Sequence, residues 1–162
     1  MAAPDARPRR KLLVIVDDTP ESKLAQRYAA VRAKNAAARV LLLHIIQPSH
    51  FEHWMAVEET IREEARTAAK ELLDAAAQEV FAVSRIAPDH LVREGAPRDV
   101  IGDLVAEDRE IMVLVLAAAD GKDGPGPLVS SFTSNPDAFR ARPIPVMVIP
   151  GCMTLEDVEE IA

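Results

Sequence analysis

A strand, a glycine-rich loop and a helix start follow one another between Ile111 and Ser131, an order of residue types suited to holding a phosphate. Ile111-Met112-Val113-Leu114-Val115-Leu116-Ala117 is an unbroken apolar run, the pattern of a strand buried on both faces. The next residues, Ala118-Ala119-Asp120-Gly121-Lys122-Asp123-Gly124-Pro125-Gly126-Pro127, hold too much Gly and Pro for helix or strand. Leu128-Val129-Ser130-Ser131 can then open a helix, with Pro127 near its first position. Free backbone N–H groups of the loop and the positive end of the helix would point at one spot, where an anion can sit. Ser130 and Ser131 could donate to phosphate oxygens, or one of them could simply cap the helix. The stretch also reads as a plain connection, since Gly/Pro loops are common at surfaces.

A second place is chemically prepared. Asp17-Asp18-Thr19 follows directly on the apolar run that starts at Lys11, so two carboxylates and a hydroxyl lie at a strand exit. The other candidates are weaker. His44 sits inside an apolar run and reads as a core histidine with its hydrogen bonds satisfied. His50 and His53, with Glu52 between them, have a spacing that allows a helical pair, but no third or fourth metal ligand is evident. Phe51, Trp54 and Met55 are the only concentrated large apolar group outside the strands, and could lid a crevice or pack at a subunit interface. Cys152 has no assignable His or acid partner. No Ser–His–acid set, Walker loop or paired-carboxylate site can be assigned, so a committed enzyme is not expected.

These residues need a scaffold, and the chain alternates strand and helix. Residues 1–10 read as a flexible tail. Lys11 to Val16 reads as a strand, and Thr19 can cap a helix from Pro20 to about Ala37. Arg39 to Ile46 is a second strand. A long helix over Ala56 to Val83 has Ile61, Ala65, Ala68, Leu72, Ala76 and Val80 as its inner stripe. Ile86 to Arg93 is a weaker strand that Pro88 places at a sheet edge. Gly95 to Glu107 gives a turn and a helix; the strand 111–117 follows. A helix from about Leu128 towards Phe139 must break or kink at Pro136. Val146 to Ile149 is the last strand. Thr154 and Asp157 form a capping box ahead of an acidic helix with Leu155, Val158 and Ile161 on one face.

That rhythm implies right-handed βαβ units, a mostly parallel sheet and helices on both faces. The expected architecture is a single-domain α/β three-layer sandwich. Its five-stranded parallel sheet has order 3-2-1-4-5, with Leu12–Val16, Leu41–Ile45 and Met112–Leu116 at the centre. Ligands of such sheets bind beyond the carboxyl ends of the strands, where strand order reverses. Adjacent first and fourth strands would bring Asp17 and the loop 118–131 to one crevice.

Composition agrees. The chain has 162 residues, enough for one domain with an ample core. It is 49% hydrophobic but only 4% aromatic, the balance of Ala-rich helices packed closely on a Val/Ile/Leu sheet. A net charge of −7 argues against nucleic acid, which needs a basic face. Arg7, Arg9, Arg10 and Lys11 are too short a basic cluster to change that. No apolar run approaches the roughly 20 residues that span a bilayer, and no signal peptide is visible. One cysteine rules out an internal disulfide and fits a reducing cytoplasm.

The order of these segments resembles the universal stress protein family. Leu13-Val14-Ile15-Val16-Asp17-Asp18-Thr19-Pro20-Glu21-Ser22 is similar to its opening strand, Asp and turn into the first helix. Arg39 to Ile46 is similar to its second strand. Glu94-Gly95-Ala96-Pro97, four residues ahead of Ile101, is similar to the turn into its third helix. Val113-Leu114-Val115-Leu116 with its loop and Pro145-Val146-Met147-Val148-Ile149 complete the pattern, which covers about Lys11 to Pro150. The resemblance implies a domain over 11–150, followed by the acidic helical tail 151–162.

It also implies a site for ATP or another adenine nucleotide such as AMP, with Mg. Asp17, with Asp18 and Thr19, would accept a hydrogen bond from the adenine amino group or the ribose. Val40 or Leu41 would supply backbone contact to the base. ATP-binding members carry Gly, two residues, Gly, nine residues, then Gly with Ser or Thr. The best register places Ala117 and Asp120 at the first two glycines and Ser130-Ser131 at the last pair. The spacing survives and the glycines do not; Gly121, Gly124 and Gly126 sit elsewhere in the loop. Asp120 would bring a carboxylate towards phosphate, and two unit charges about 4 Å apart repel by ~4 kcal/mol at an effective dielectric of 20. Gly124-Pro125-Gly126 could form a different nest with Lys122 as counter-charge. Three functions compete: a stress-response protein that holds an adenine nucleotide through a shifted loop, with at most slow ATP hydrolysis; a member without nucleotide that acts through dimerisation and protein partners; and an enzyme of the related nucleotide-binding α/β folds, which would need a motif not found here. A homodimer through strand 145–149 is expected whichever holds.

Overall fold

Long β-branched and Leu-rich runs become the strands, and Ala-rich segments cover them. The computed structural model describes residues 8–48, 55–139 and 141–162, with the backbone alone at 55, 56 and 136. The strands are β1 (Lys11–Ile15), β2 (Arg39–Ile46), β3 (Asp89–Glu94), β4 (Ile111–Ala118) and β5 (Val146–Pro150). The helices are α1 (Pro20–Ala36), α2 (Met55–Ser84), α3 (Pro97–Glu107), α4 (Pro127–Ser134) and α5 (Leu155–Ile161), with a 3₁₀ turn at Pro136–Phe139. All pairings are parallel and the order is β3-β2-β1-β4-β5, as expected. β2, β1 and β4 form the centre.

Successive residues of each strand feed opposite layers. Leu12, Val14, Val40, Leu42 and Val115 pack under α1, α2 and α5, against Ala25, Ala29 and Ala33, Leu73 and Val80, and Val158. Four alanines on α1 let that helix lie close to the sheet. Leu13, Leu41, Leu43, Ile111 and Leu114 pack under α3 and α4, against Ile101, Leu104, Val105, Val129 and Phe132. Phe132 and Phe139 stack at 4.9 Å between ring centres, so the chain after the Pro136 break still closes the core.

Four expectations are adjusted. Lys11 pairs with Ile111 but Leu12 with Val113, so Met112 is the extra residue of a bulge and is exposed despite its central strand. β3 starts at Asp89, not Ile86, because Pro88 cannot donate to the ladder. The inner stripe of α2 is Ala69, Leu73, Ala76 and Val80, while Ile61 and Ala68 are exposed. The Ala68-Ala69 and Leu72-Leu73 pairs offer two adjacent apolar faces, and the sheet selects the second. Of the three apolar residues of α5, Val158 alone is buried; α5 docks on α1 of its own chain, with Arg27 paired to Glu159.

Candidate functional site

Strand order reverses between β1 and β4, and the carboxyl ends there open a crevice. The exit of β1 is fixed by a small polar network. The Ser22 hydroxyl donates to the carbonyl of Ile15 at 3.2 Å, and accepts from the N–H of Asp17 at 3.2 Å and from Gln26 Nε2 at 3.1 Å. Asp17 Oδ1 accepts from the N–H of Thr19 at 2.9 Å and from the Thr19 hydroxyl. Thr19 in turn caps α1 by accepting from the N–H of Ser22. One oxygen of Asp17 is thus held in the turn, while Thr19 supplies the cap of α1. Its other oxygen has no partner among the described residues, and the side chain is exposed.

The crevice holds a cavity of about 380 Å³. Ile15, Val16 and Asp17 line it from β1; His44, Ile45 and Gln47 line it from the end of β2. Pro97 and Arg98 enter from the start of α3, and Pro127, Leu128 and Ser131 from the start of α4. Both helices begin with Pro at the first position, and neither N-cap, Ala96 or Gly126, supplies a side-chain cap. Two sets of free N–H groups therefore open towards this end of the sheet. The N–H of Gly95 donates to the carbonyl of Ile46 at 3.0 Å, which ties the start of α3 to β2.

Of the residues singled out by sequence, Asp17 and Ser131 meet in this cavity. Asp18 lines a neighbouring groove of about 560 Å³ between the end of β2 and α2, which His44 and Ile45 also border. Val40 and Leu41 are not brought to the crevice: they are the second and third residues of β2, buried towards its opposite end. Ile45 holds the position expected of them, because the strand must run about four residues further, at ~3.3 Å each, to reach its carboxyl end. Ala117 is half-buried in β4 opposite Ile149. Asp120, Gly121, Lys122, Gly124 and Ser130 are exposed, and these, like Gly126, do not line the cavity. Gly124 and Gly126 have φ of 91° and 97°, conformations that demand glycine, and the N–H of Ala119 closes the loop onto the carbonyl of Pro125 at 3.1 Å.

The sequence does not single out Arg98 or Gly151, and it places His44 in the core. Arg98 brings a cation into the cavity; the signal was its place directly after the Gly95-Ala96-Pro97 turn. His44 is half-buried, not in the core, and its Nδ1 lies 2.7 Å from the carbonyl oxygen of Val16. A Cβ at Gly151 would lie 2.2 Å from the carbonyl oxygen of Ala118 and 2.9 Å from the N of Asp120, so this glycine lets the chain pass beside the loop. His50, Glu52, His53, Phe51 and Trp54 lie outside the described residues. Among the described residues no group of three or more metal-ligating side chains occurs, and no helix is long and apolar enough to cross a membrane.

The fold and crevice define a doubly wound α/β domain with its ligand end at the switch point. The chain belongs to the universal stress protein family, whose profile matches residues 8–150. No curated protein matches the sequence. Among solved structures, the chain is similar to universal stress protein UspA from Lactobacillus plantarum, with 24% identity, a TM-score of 0.68, and coverage of 90% of this chain and 99% of that one. It is similar to a universal stress protein family protein from Arabidopsis thaliana with AMP bound (18% identity, TM-score 0.59, coverage 87% and 91%). It is also similar to the universal stress protein from Archaeoglobus fulgidus in complex with dAMP (20% identity, TM-score 0.52, coverage 86% and 97%).

Proposed function

We propose that this protein is a stress-response binding protein that holds an adenine nucleotide in the crevice at the ends of β1 and β2. The observation that carries the reading is the cavity that joins Asp17 to Ser131 at the switch point. The free Asp17 oxygen can accept from an adenine amino group or a ribose hydroxyl. The walls of Ile15, Val16, Ile45 and Leu128 are apolar and suit a base. The Ser131 hydroxyl and the uncapped start of α4 suit a phosphate. The nucleotide-bound relatives support the ligand class. Mg would arrive with the phosphates, since among the described residues no group of three or more metal-ligating side chains waits for it. Denaturing the purified protein and separating the supernatant by chromatography tests for retained nucleotide. Calorimetric titration with Mg-ATP and AMP on wild type and Asp17→Ala tests the site: micromolar binding unchanged in the variant removes it.

A second reading, a protein that acts without nucleotide through dimerisation and partners, draws on the loop 119–126, which has lost the family's glycines and stands away from the cavity. No binding at millimolar AMP or ATP selects it.

A further inference from the structure

We propose that Arg98 is the phosphate anchor of this site, and that the crevice takes a nucleoside monophosphate in preference to a triphosphate. The proposal rests on the adenine-nucleotide reading above and specifies which end of the cavity holds the charge.

Three arginines are half-buried among the described residues, and they differ in their partners. Arg27 pairs with Glu159. Arg142 donates to the carbonyls of Val105, Asp108 and Ile111. Arg98 has neither an ion pair nor a hydrogen bond to any described residue, yet it is half-buried and lines the cavity. A guanidinium that lines a cavity with no acceptor of its own is free to take one, and an anion delivered to it gains a charged hydrogen bond. Its planar fork matches two phosphate oxygens at once. Among the described residues that line the cavity it is the only Lys or Arg, and Asp17 is the only carboxylate. The site thus has one cationic element, from α3, and one anionic element, from β1, on two different walls. A ligand with a hydrogen-bond donor at one end and an anion at the other satisfies both.

The loop argues for a single phosphate. Asp120, Lys122 and Asp123 are exposed, and none lines the cavity. Among the described residues that line the cavity no second cation meets the charge that β- and γ-phosphates add, and two carboxylates flank Lys122 in the loop that would have to cradle them.

Calorimetry with 5′-AMP, adenosine and Mg-ATP on wild type, Arg98→Ala and Arg98→Lys separates the possibilities. AMP is expected to bind wild type and to weaken about ten- to hundred-fold in Arg98→Ala, the usual worth of a charged hydrogen-bonded contact. Adenosine, which lacks the phosphate, should bind both equally, and this also shows that the variant is folded. Arg98→Lys should fall between, keeping the charge without the fork. Mg-ATP should bind wild type no more tightly than AMP. Equal AMP affinity in wild type and Arg98→Ala overturns the anchor and leaves the nucleotide reading standing. Mg-ATP tenfold tighter than AMP overturns the preference. If neither AMP nor adenosine binds wild type at millimolar concentration, both readings fall together.

Discussion

His44 Nδ1 and the carbonyl oxygen of Val16 are 2.7 Å apart, so a side chain at the end of β2 holds the exit of β1. A carbonyl accepts, hence Nδ1 carries a proton and donates to it. The bond lies one residue before Asp17 and sets where that carboxylate emerges. His44→Phe keeps the ring volume and removes the donor. It is expected to destabilise the fold by about 1–3 kcal/mol, because Val16 is buried and no other donor among the described residues reaches its carbonyl. Urea unfolding measures this, and a loss under a few tenths of a kcal/mol would mean that water replaces the imidazole freely.

Gly151 predicts a contrast between glycines of one region. Gly151→Ala must push the start of the loop away from the Ala118 carbonyl, whereas a Cβ at Gly121 meets nothing within 4 Å. The first variant should lose about 1–3 kcal/mol through overpacking, and its backbone NMR shifts should move at 118–120. Gly121→Ala should lie within about 0.5 kcal/mol of wild type. Equal melting temperatures for the two variants would contradict the close approach.

At the other end of the sheet, Arg39 and Lys11 tie three strands together. Arg39 binds Asp89 at 2.9 Å, Glu110 at 3.1 Å and the carbonyl of Pro8 at 2.8 Å; Lys11 pairs with Asp108 and with Glu110 at 3.3 Å. Their side chains are 10% and 12% exposed, but the acids are 22–35% exposed, so water takes up part of any loss. Arg39→Met is expected to cost about 2 kcal/mol, below the 3–5 of a fully buried pair. The loss should change little between about 0.05 and 0.5 M salt, since the cations are shielded from solvent. A loss that vanishes in high salt would show an ordinary surface network.

The capping box of α5 gives a pH signature. The Thr154 N–H, at 2.9 Å, and then the Thr154 side chain hold the Asp157 carboxyl below its ordinary value of 3.8. A carboxyl lowered in the folded state adds stability above its unfolded pKa, and that stability is lost as pH falls through the folded pKa. The difference in stability between wild type and Asp157→Asn should therefore be full at neutral pH and close below 3.8. NMR titration of the Asp157 carboxyl should show a midpoint below 3.8 that rises in Thr154→Ala. A wild-type midpoint at or above that value ends the argument.

Buried runs were legible because a strand covered on both faces needs no pattern beyond continuity, as in Leu41–Leu43. Caps were legible because Thr19 and Thr154 act on residues two or three places away. Asp17 and Ser131 were found because each follows a strand exit or a glycine loop. What sequence did not show depends on distance across strands or on register. Nothing local tells Leu72 from Leu73, or places Ile45 in place of Val40 beside Asp17. Arg98 is one of many arginines until the turn at Gly95 is pinned to β2. Gly151 matters only because β5 ends beside β4.

The last prediction concerns assembly. β5 is an edge strand, paired on one side only, to β4. Leu114 N donates to the Pro145 carbonyl at 3.0 Å, and in a parallel ladder alternate residues bond, so Val146 and Val148 turn their N–H and C=O groups outward. No Lys, interior Pro or charge protects that edge. Met147 is 40% exposed on this edge strand, which leaves a large apolar side chain beside the unpaired groups. A second copy related by a two-fold axis would satisfy both edges at once and cover that side chain. We expect a homodimer at tens of micromolar. Met147→Lys places a charge on the exposed face without entering the core, and should shift the mass in sedimentation equilibrium towards one chain while leaving the urea midpoint of the monomer unchanged. Val148→Pro removes an outward donor and should shift the mass likewise, at a cost in stability because the Val148 side chain also packs on the core. A wild-type mass of one chain refutes the dimer, and two variants that dimerise as well as wild type would place the interface elsewhere.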